Sequence, residues 1–497
     1  MLTTNYQLDS VPMVHERRTK STSDGTSFLD DGAEPVYPPG PMVPTNAWHF
    51  MWSPWVIVLS QPSTPYAQVR DRPRRCPLQP RSVKKTSDGE GGAGHCPKSP
   101  DPVVYREALA SHIMFETHLV IDADSHWTEP HDLFTKRAPA KLRDRVPRVE
   151  QIDGVPHWVF DGHPMGMATA AAVVGRDGKK VSAQLGLYEW GIEDIHVGAY
   201  DPKVRLEVLD ESGIDAQVIF PSTLSLGGQD LAMVGDPGLS LTVIQMYNDI
   251  MAEIQAESNN RLLPMPLLPA WDVKLSAAEA RRVAEMGMRG VNMTSDPDDI
   301  GGPDLADPAW DALWETCTEL QLPVHFHIGA SVTSSSWSAK YPWASHSDNV
   351  KLALTGTLLF VGNARVVANG IVSGLFDRHP ELKWVSVESA CGWIPFILEA
   401  LDYEMFENAP EEARSLKRKP SEYFRSNLYA TFWFEKNNLP WLVDTLGEDS
   451  ILFETDFPHP TCLYPNPLES VAPKIAVLPE AVQRKILGEN AKKLYRL

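Results

Sequence analysis

At 497 residues, 43% hydrophobic and 22% charged, the chain is long and apolar enough to bury a large core. Its formal net charge of −20 excludes nucleic acid and anionic membranes as expected partners, because both repel an acidic surface. Five scattered cysteines, Cys76, Cys96, Cys317, Cys391 and Cys462, never form a C-x-x-C pair, which excludes a disulfide framework or zinc knuckle and suits a reducing cytoplasm.

Residues 1–113 differ in character from residues 114–497. They carry 12 Lys+Arg against 11 Asp+Glu, so the acidity belongs to the longer C-terminal part. Proline is dense, as at Pro38, Pro39 and Pro41, and no helical or strand period persists. Such a stretch cannot bury enough apolar surface to offset its ordering entropy, and a disordered extension is expected. Met114 opens the first patterned region and is a candidate translation start. No charged segment followed by an apolar one marks a signal peptide, and the apolar run at 52–59 contains Pro54 and is too short to span a bilayer. The expected setting is the cytoplasm.

From residue 119 onward, strand-like and helix-like runs alternate. The first strand is predicted at 119–124, followed by a polar insertion at 135–200 with a hairpin-like run at 155–160. Asp201 and Pro202 then supply an acid cap and a first-turn proline for a helix that Gly213 stops. Further strands are predicted at 216–221, 262–268, 290–293, 324–328, 384–387, 428–433 and 451–455, with amphipathic helices such as 277–288 and 308–320 between them. Eight strands, each followed by a helical segment, is the count of a (β/α)8 TIM barrel over 114–497. A doubly wound sheet is the alternative, but no G-x-G-x-x-G follows the first strand to support its dinucleotide reading.

Three of these strands end in metal-ligand residue types. Asp122, Asp124 and His126 close the first, His325 and His327 the fifth, and Asp456 the eighth, where Pro458 and Pro460 forbid further helix or central strand. Alternation puts Asp122, Asp124 and His126 on one face, and His325 and His327 likewise. Each element alone is more often a packed histidine or a turn-forming aspartate. Their coincidence at strand carboxyl ends, where parallel α/β proteins do their chemistry, is what points to a site. Carboxylates and imidazoles gathered there suit Zn²⁺, with Mn²⁺ or Fe²⁺ as alternatives, and a position left for water whose pKa would fall toward about 7.

The ordered motifs carry a resemblance. They are I-D-A-D-S-H-W-T-E-P from Ile121, D-P-x-x-R-L-x-x-L-D-x-x-G-I-D at 201–215, P-V-H-F-H-I-G at 323–329, G-L-F-D-R-H-P-E-L-K at 374–383, G-W-I-P at 392–395, T-D-F-P-H at 455–459 and I-L-G-E-N-A at 486–491. From about Val120 to the C-terminus the chain resembles the amidohydrolase-related (amidohydrolase 2) family, which includes aminocarboxymuconate-semialdehyde decarboxylase and other metal-dependent decarboxylases and hydrolases. The resemblance implies a barrel with one divalent metal on Asp124, His126, His327 and Asp456, a small cyclic or aromatic carboxylated substrate, and a homodimer. It leaves His325 as a substrate contact or a packed residue, and Trp271, at the third strand's end, as a substrate wall or plain packing.

Two positions depart from the family. Asp124 stands where members place His or Glu, and Glu388 where decarboxylases place a histidine. A carboxylic acid can shuttle protons when burial raises its pKa, but a nearby cation pulls it toward the carboxylate and base duty. On that argument hydrolysis is expected, with Asp456 or Glu388 taking a proton and His459 aiding the leaving group; non-oxidative decarboxylation is the alternative. A third reading is a barrel that lost its chemistry and serves in binding. For Glu388 the bland assignment is an ion pair with Arg378 or Lys383. Arg205 is expected to be a structural partner on the helix after the insertion, with Glu129 tying down the loop after the first strand.

Overall fold

Apolar residues flanked by turn formers build a closed ring of parallel strands. The computed structural model describes residues 118–169, 171–182, 189–234, 236–340 and 342–497; the expectations for residues 1–113 and for a start at Met114 lie outside the described residues. Two short segments, β1 (Ile121–Asp122) and β2 (His126–Trp127), form the first stave. The insertion follows as an antiparallel sheet of β3 (Arg148–Ile152), β4 (Val155–Phe160) and β5 (His163–Met167), where the sequence suggests only a hairpin. The remaining staves are β6 (Ala216–Pro221), β7 (Leu262–Pro264), β8 (Val291–Asn292), β9 (Val324–His327), β10 (Trp384–Val387), β11 (Leu428–Phe432) and β12 (Ile451–Phe453). Ladders join β1 and β2 to β6, β6 to β7, and β8 through β12 in order, all parallel.

Two seams close the ring. A bridge between Leu267 and Asn292 joins β7 to β8, and Ala123 N donates to Phe453 O at 2.8 Å to join β1 to β12. The eight staves among the described residues thus form the expected (β/α)8 barrel. Staves β6 and β10 start and stop where the sequence places them.

The first stave corrects one expectation. Asp122 pairs with Gln217, an offset of 95, whereas His126 pairs with Phe220, an offset of 94. One extra residue in the stretch 123–125 reverses the alternation, as a bulge does. Asp122 therefore faces away from the barrel interior while Asp124 and His126 reach the site, and the three do not share a face.

Ile121, Val218, Phe220, Met265, Val385, Val387 and Leu452 fill the barrel interior, and Ala491, Leu494 and Tyr495 of the last helix plug its floor. Gly488 belongs to that plug: a Cβ there would lie 2.3 Å from the Leu119 carbonyl oxygen. A larger apolar layer lies between the strands and the surrounding helices. Among the described residues one helical run, Asp348–Val372, is long and apolar enough to cross a membrane, with 28% of its window buried. Asn363, within it, donates to Phe326 O (2.9 Å) and Ser386 Oγ (3.0 Å), which ties the run to β9 and β10.

The helix Pro202–Ser212 starts and ends as its residues dictate: Asp201 Oδ1 accepts from Lys203 N (2.8 Å) and Val204 N (3.1 Å), and Gly213 takes φ 68°. Asp201→Ala leaves those amides without the cap and should cost about 1 kcal/mol of stability in urea unfolding, with Asp201→Asn recovering most of it. An unchanged midpoint for Asp201→Ala would show that the cap contributes nothing.

Candidate metal centre

Four strand ends converge on one point. Asp124 and His126 arrive from the first stave, His327 from the end of β9, Glu388 just after β10, and Asp456 and His459 from the loop after β12. His126 Nε2 lies within hydrogen-bond distance of His327 Nε2 (3.2 Å), 3.7 Å from Asp124 Oδ1, and 3.5 Å from both Glu388 Oε2 and Asp456 Oδ1. His327 Nε2 lies 3.5 Å from Asp124 Oδ1 and 3.2 Å from Glu388 Oε2. His459 stacks on His126 with ring centroids 3.6 Å apart, and its Nδ1 is 3.6 Å from Asp456 Oδ1.

The backbone turns sharply where two of these residues stand. Asp456 has φ 60° and Glu388 φ 53°, a left-handed conformation that non-glycine residues adopt rarely and at functional sites. Glu388 is anchored by its own N–H donating to Thr431 Oγ1 (2.9 Å). Asp456 divides its carboxylate: Oδ2 accepts from Thr461 Oγ1 at 2.8 Å, while Oδ1 faces His126 and His459. It is both a loop fastener and a site residue.

The electrostatics demand a positive charge. Asp124, His126, His327 and Asp456 are fully buried; Asp456 Oδ1 has no hydrogen-bond partner, and Asp124 has none but the equally buried carboxyl of Glu454. His327 Nδ1 lies 2.9 Å from the Ile328 carbonyl and must donate to it, which leaves a lone pair on the Nε2 that faces His126. Burial, then the negative charges of Glu388 and Asp122, push the Asp124 carboxyl well above the carboxylate range; burial, Glu388 and Asp124 do the same to Asp456. Burial and the neighbouring His327 and Arg205 push His126 well down. Unpaired buried carboxylates and lone pairs at these distances are costly unless a cation lies among them. Two overlapping donor sets, Asp124–His126–His327–Glu388 and His126–Glu388–Asp456–His459, each offer two carboxylates and two imidazoles, a chemistry that fits a divalent metal.

Glu388 differs from its neighbours. Burial pushes it up to about 7, partly offset by His327, and its side chain keeps 11% exposure where Asp124, His126, His327 and Asp456 keep none. Its bland assignment fails, because Arg378 bonds Asp311 and Lys383 bonds the Ser426 carbonyl.

Two expected substrate contacts are not brought to the cluster. His325 sits one layer below, its nitrogens 2.9 Å from Val291 O and 2.9 Å from the Tyr495 hydroxyl, so both are committed to the barrel floor. Trp271 packs against the apolar layer outside the strands. Conversely, Glu454 went unread in sequence: it is buried behind Asp124, and burial followed by the charge of Asp124 raises it well above the carboxylate range. A charge inside an otherwise apolar strand was the available signal. Glu129 does fasten its loop, accepting from Ser222 N (3.1 Å) and Thr223 N (2.9 Å). The insertion docks on the loop after β12, where Val173 N donates to Pro458 O at 2.9 Å.

A profile described as Amidohydrolase matches residues 193–497. The 2-amino-3-carboxymuconate-6-semialdehyde decarboxylase of Dictyostelium discoideum is 25% identical over 305 residues, 60% of this chain and 77% of that protein. The gamma-resorcylate decarboxylase of Rhodococcus jostii is 27% identical over 305 residues, 59% of this chain and 87% of that protein. Among solved structures, an amidohydrolase from Mycobacterium avium subsp. paratuberculosis shares the fold with a TM-score of 0.62 at 22% identity, covering 76% of this chain and 98% of its own. The 5-carboxyvanillate decarboxylase of Novosphingobium aromaticivorans, solved with bound manganese, gives a TM-score of 0.52 at 17% identity, covering 77% of this chain and 98% of its own. The expectation of hydrolysis is overturned: both sequence relatives are decarboxylases. The charge state of one residue, Glu388, does not decide the reaction, because a carboxyl there can move a proton in either one.

If the cluster holds one ion, dialysed protein should retain close to one divalent metal per chain by elemental analysis, and Asp456→Asn should lower that several-fold. Full metal content in Asp456→Asn would remove this residue from the ligand set.

Proposed function

The chain belongs to the amidohydrolase family of enzymes, and on that premise we propose that it is a metal-dependent, non-oxidative decarboxylase of a small aromatic or cyclic carboxylate. The observation that carries the reading is the buried cluster of carboxylates and imidazoles, with an unpaired oxygen on Asp456 and with Glu388 at its open edge. Drawn from the two overlapping donor sets, which share His126 and Glu388, Asp124, His126, His327 and Asp456 would hold the ion, for which zinc leads, with manganese, present in the Novosphingobium neighbour, and iron as alternatives. Bound there, it supplies Lewis-acid attraction for a substrate carboxylate and an adjacent oxygen.

The chain's own residues do the rest. Glu388, which burial pushes up to about 7, reaches the exposed side of the cluster and is the proton carrier. It delivers that proton to the ring carbon bearing the carboxylate. The bond to the carboxylate then breaks, its electron pair restores the ring, and CO₂ leaves. Glu388 regains a proton from solvent through its exposed edge. His459, held between His126 and Ser222 Oγ (3.5 Å), orients the substrate beside Asp456. The insertion, docked on the loop after β12, limits water access and serves as a lid. The buried free thiols of Cys317, Cys391 and Cys462 suit a reducing cytoplasm.

In D₂O, the metal-loaded protein acting on a panel of hydroxybenzoates should release CO₂ and place one deuterium at the vacated carbon. Glu388→Gln should lower kcat by about 100-fold or more with metal content intact. Solvent ¹⁸O in the product without CO₂ release, or full activity of Glu388→Gln, would contradict the proposal.

A homodimer is part of the same reading. Phe396 and Phe406 are each 72% exposed on the helix Ile394–Asn408, with Tyr403 and, on the adjoining helix Leu439–Leu446, Trp441 also exposed. At about 150–250 Å² per whole aromatic side chain, their exposed parts supply roughly 500 Å² of the roughly 800 Å² per partner of a stable interface. Light scattering should report a dimer, and Phe396→Glu with Phe406→Glu should yield a folded monomer; a monomeric parent protein would refute this.

A further inference from the structure

Behind the cluster runs a buried polar chain that touches no reacting group. Asp122, turned outward by the extra residue in the first stave, receives four hydrogen bonds. Oδ1 accepts from Thr455 N (2.8 Å) and Asp124 N (3.2 Å); Oδ2 accepts from Thr455 Oγ1 (2.5 Å) and Gln217 Nε2 (2.6 Å). Gln217 Oε1 in turn accepts from Arg205 Nη1 at 2.8 Å. Arg205 completes the circuit: its Nη2 donates to the His126 carbonyl at 2.7 Å, its Nε to the Gly198 carbonyl, and its guanidinium lies 4.6 Å from the centre of the Phe457 ring. All are essentially inaccessible to solvent; Asp122 and Arg205 are 0% exposed and Gln217 1%.

The residues it grips are the neighbours of ligands. Asp124 N and His126 O belong to the residues on the first stave, and Thr455 and Phe457 flank Asp456. Three of the four residues assigned to the metal are thus fixed by one chain that spans the first stave, β6, the loop after β12 and the helix Pro202–Ser212. His327 is fixed separately, by its own bond to the Ile328 carbonyl. A buried carboxylate and guanidinium that served stability alone would gain most by pairing directly. Here an amide side chain stands between them, and each charge also bonds a backbone group beside the site, Asp124 N and Thr455 N for Asp122 and the His126 carbonyl for Arg205.

We propose that Arg205, Gln217 and Asp122 act as positioning residues that hold Asp124, His126 and Asp456 in the geometry that binds the metal. This rests on the metal site of the decarboxylase reading. Partners of this kind typically contribute 10–100-fold to metal affinity.

The test measures Zn²⁺ affinity by competition with a chromophoric chelator, alongside thermal unfolding of the metal-free protein. Gln217→Leu should weaken Zn²⁺ binding by about 10–100-fold. The control is Asn248→Leu, which removes a buried amide bonded to Leu267 and Glu279 in the outer layer; it should lower Tm and leave the affinity within about twofold. Should Gln217→Leu not fold, Thr455→Val, which deletes the hydroxyl bond to Asp122 and the longer one (3.4 Å) that the hydroxyl accepts from Phe457 N, takes the same measurement and should also weaken binding. Parent protein that binds Zn²⁺ tightly together with variants of unchanged affinity, or equal losses in Asn248→Leu, would overturn the positioning role alone. Parent protein that binds no Zn²⁺ would overturn the metal site beneath it.

Discussion

Buried negative charge without a counter-charge is the constraint on which this structure turns. Asp456 presents an oxygen with no protein partner, and Asp124 one whose neighbour is another buried carboxyl, to a pair of imidazoles whose Nε2 atoms are 3.2 Å apart. Stability alone would not select this grouping, since desolvating each carboxylate costs several kcal/mol and the groups repel one another. A divalent ion turns the same arrangement from repulsive to attractive. The barrel exists, in this sense, to force strand ends from residues 124 to 456 into a place they would otherwise avoid.

The architecture isolates that cost. The floor is closed by Tyr495 and its helix; Tyr495 takes up one nitrogen of His325 and the Val291 carbonyl of β8 the other, so the layer beneath the site is satisfied. The open edge is left to Glu388 and His459, the two site residues with residual exposure. Function follows from this division: fully buried groups suit holding a cation, and a raised, partly exposed acid suits carrying a proton to substrate.

Much of this was legible in the sequence because it depends on local pattern. Asp456 before Pro458, His327 at the end of an apolar run and Glu388 after β10 are strand-end residues, and strand ends are readable from alternation and turn formers. What was not legible depends on partners distant in sequence. The extra residue between Asp122 and His126 changes a side chain's face, yet it shows only in the register with β6. His325 looked like a site residue because its partner, Tyr495, lies 170 positions away. The raised pKa of Glu388 is a consequence of burial, and no spacing rule reports how deeply a loop residue is buried. A carboxyl there can move a proton in either reaction, so the reaction class was misjudged although the strand-end residues stood out.

The most direct measurement is an anomalous diffraction map from crystals soaked in Mn²⁺. The account predicts one strong interior peak within about 2.0–2.3 Å of side-chain atoms of Asp124, His126, His327 and Asp456. A peak held by other residues, or no interior peak at a Mn²⁺ concentration that saturates binding in solution, would contradict it.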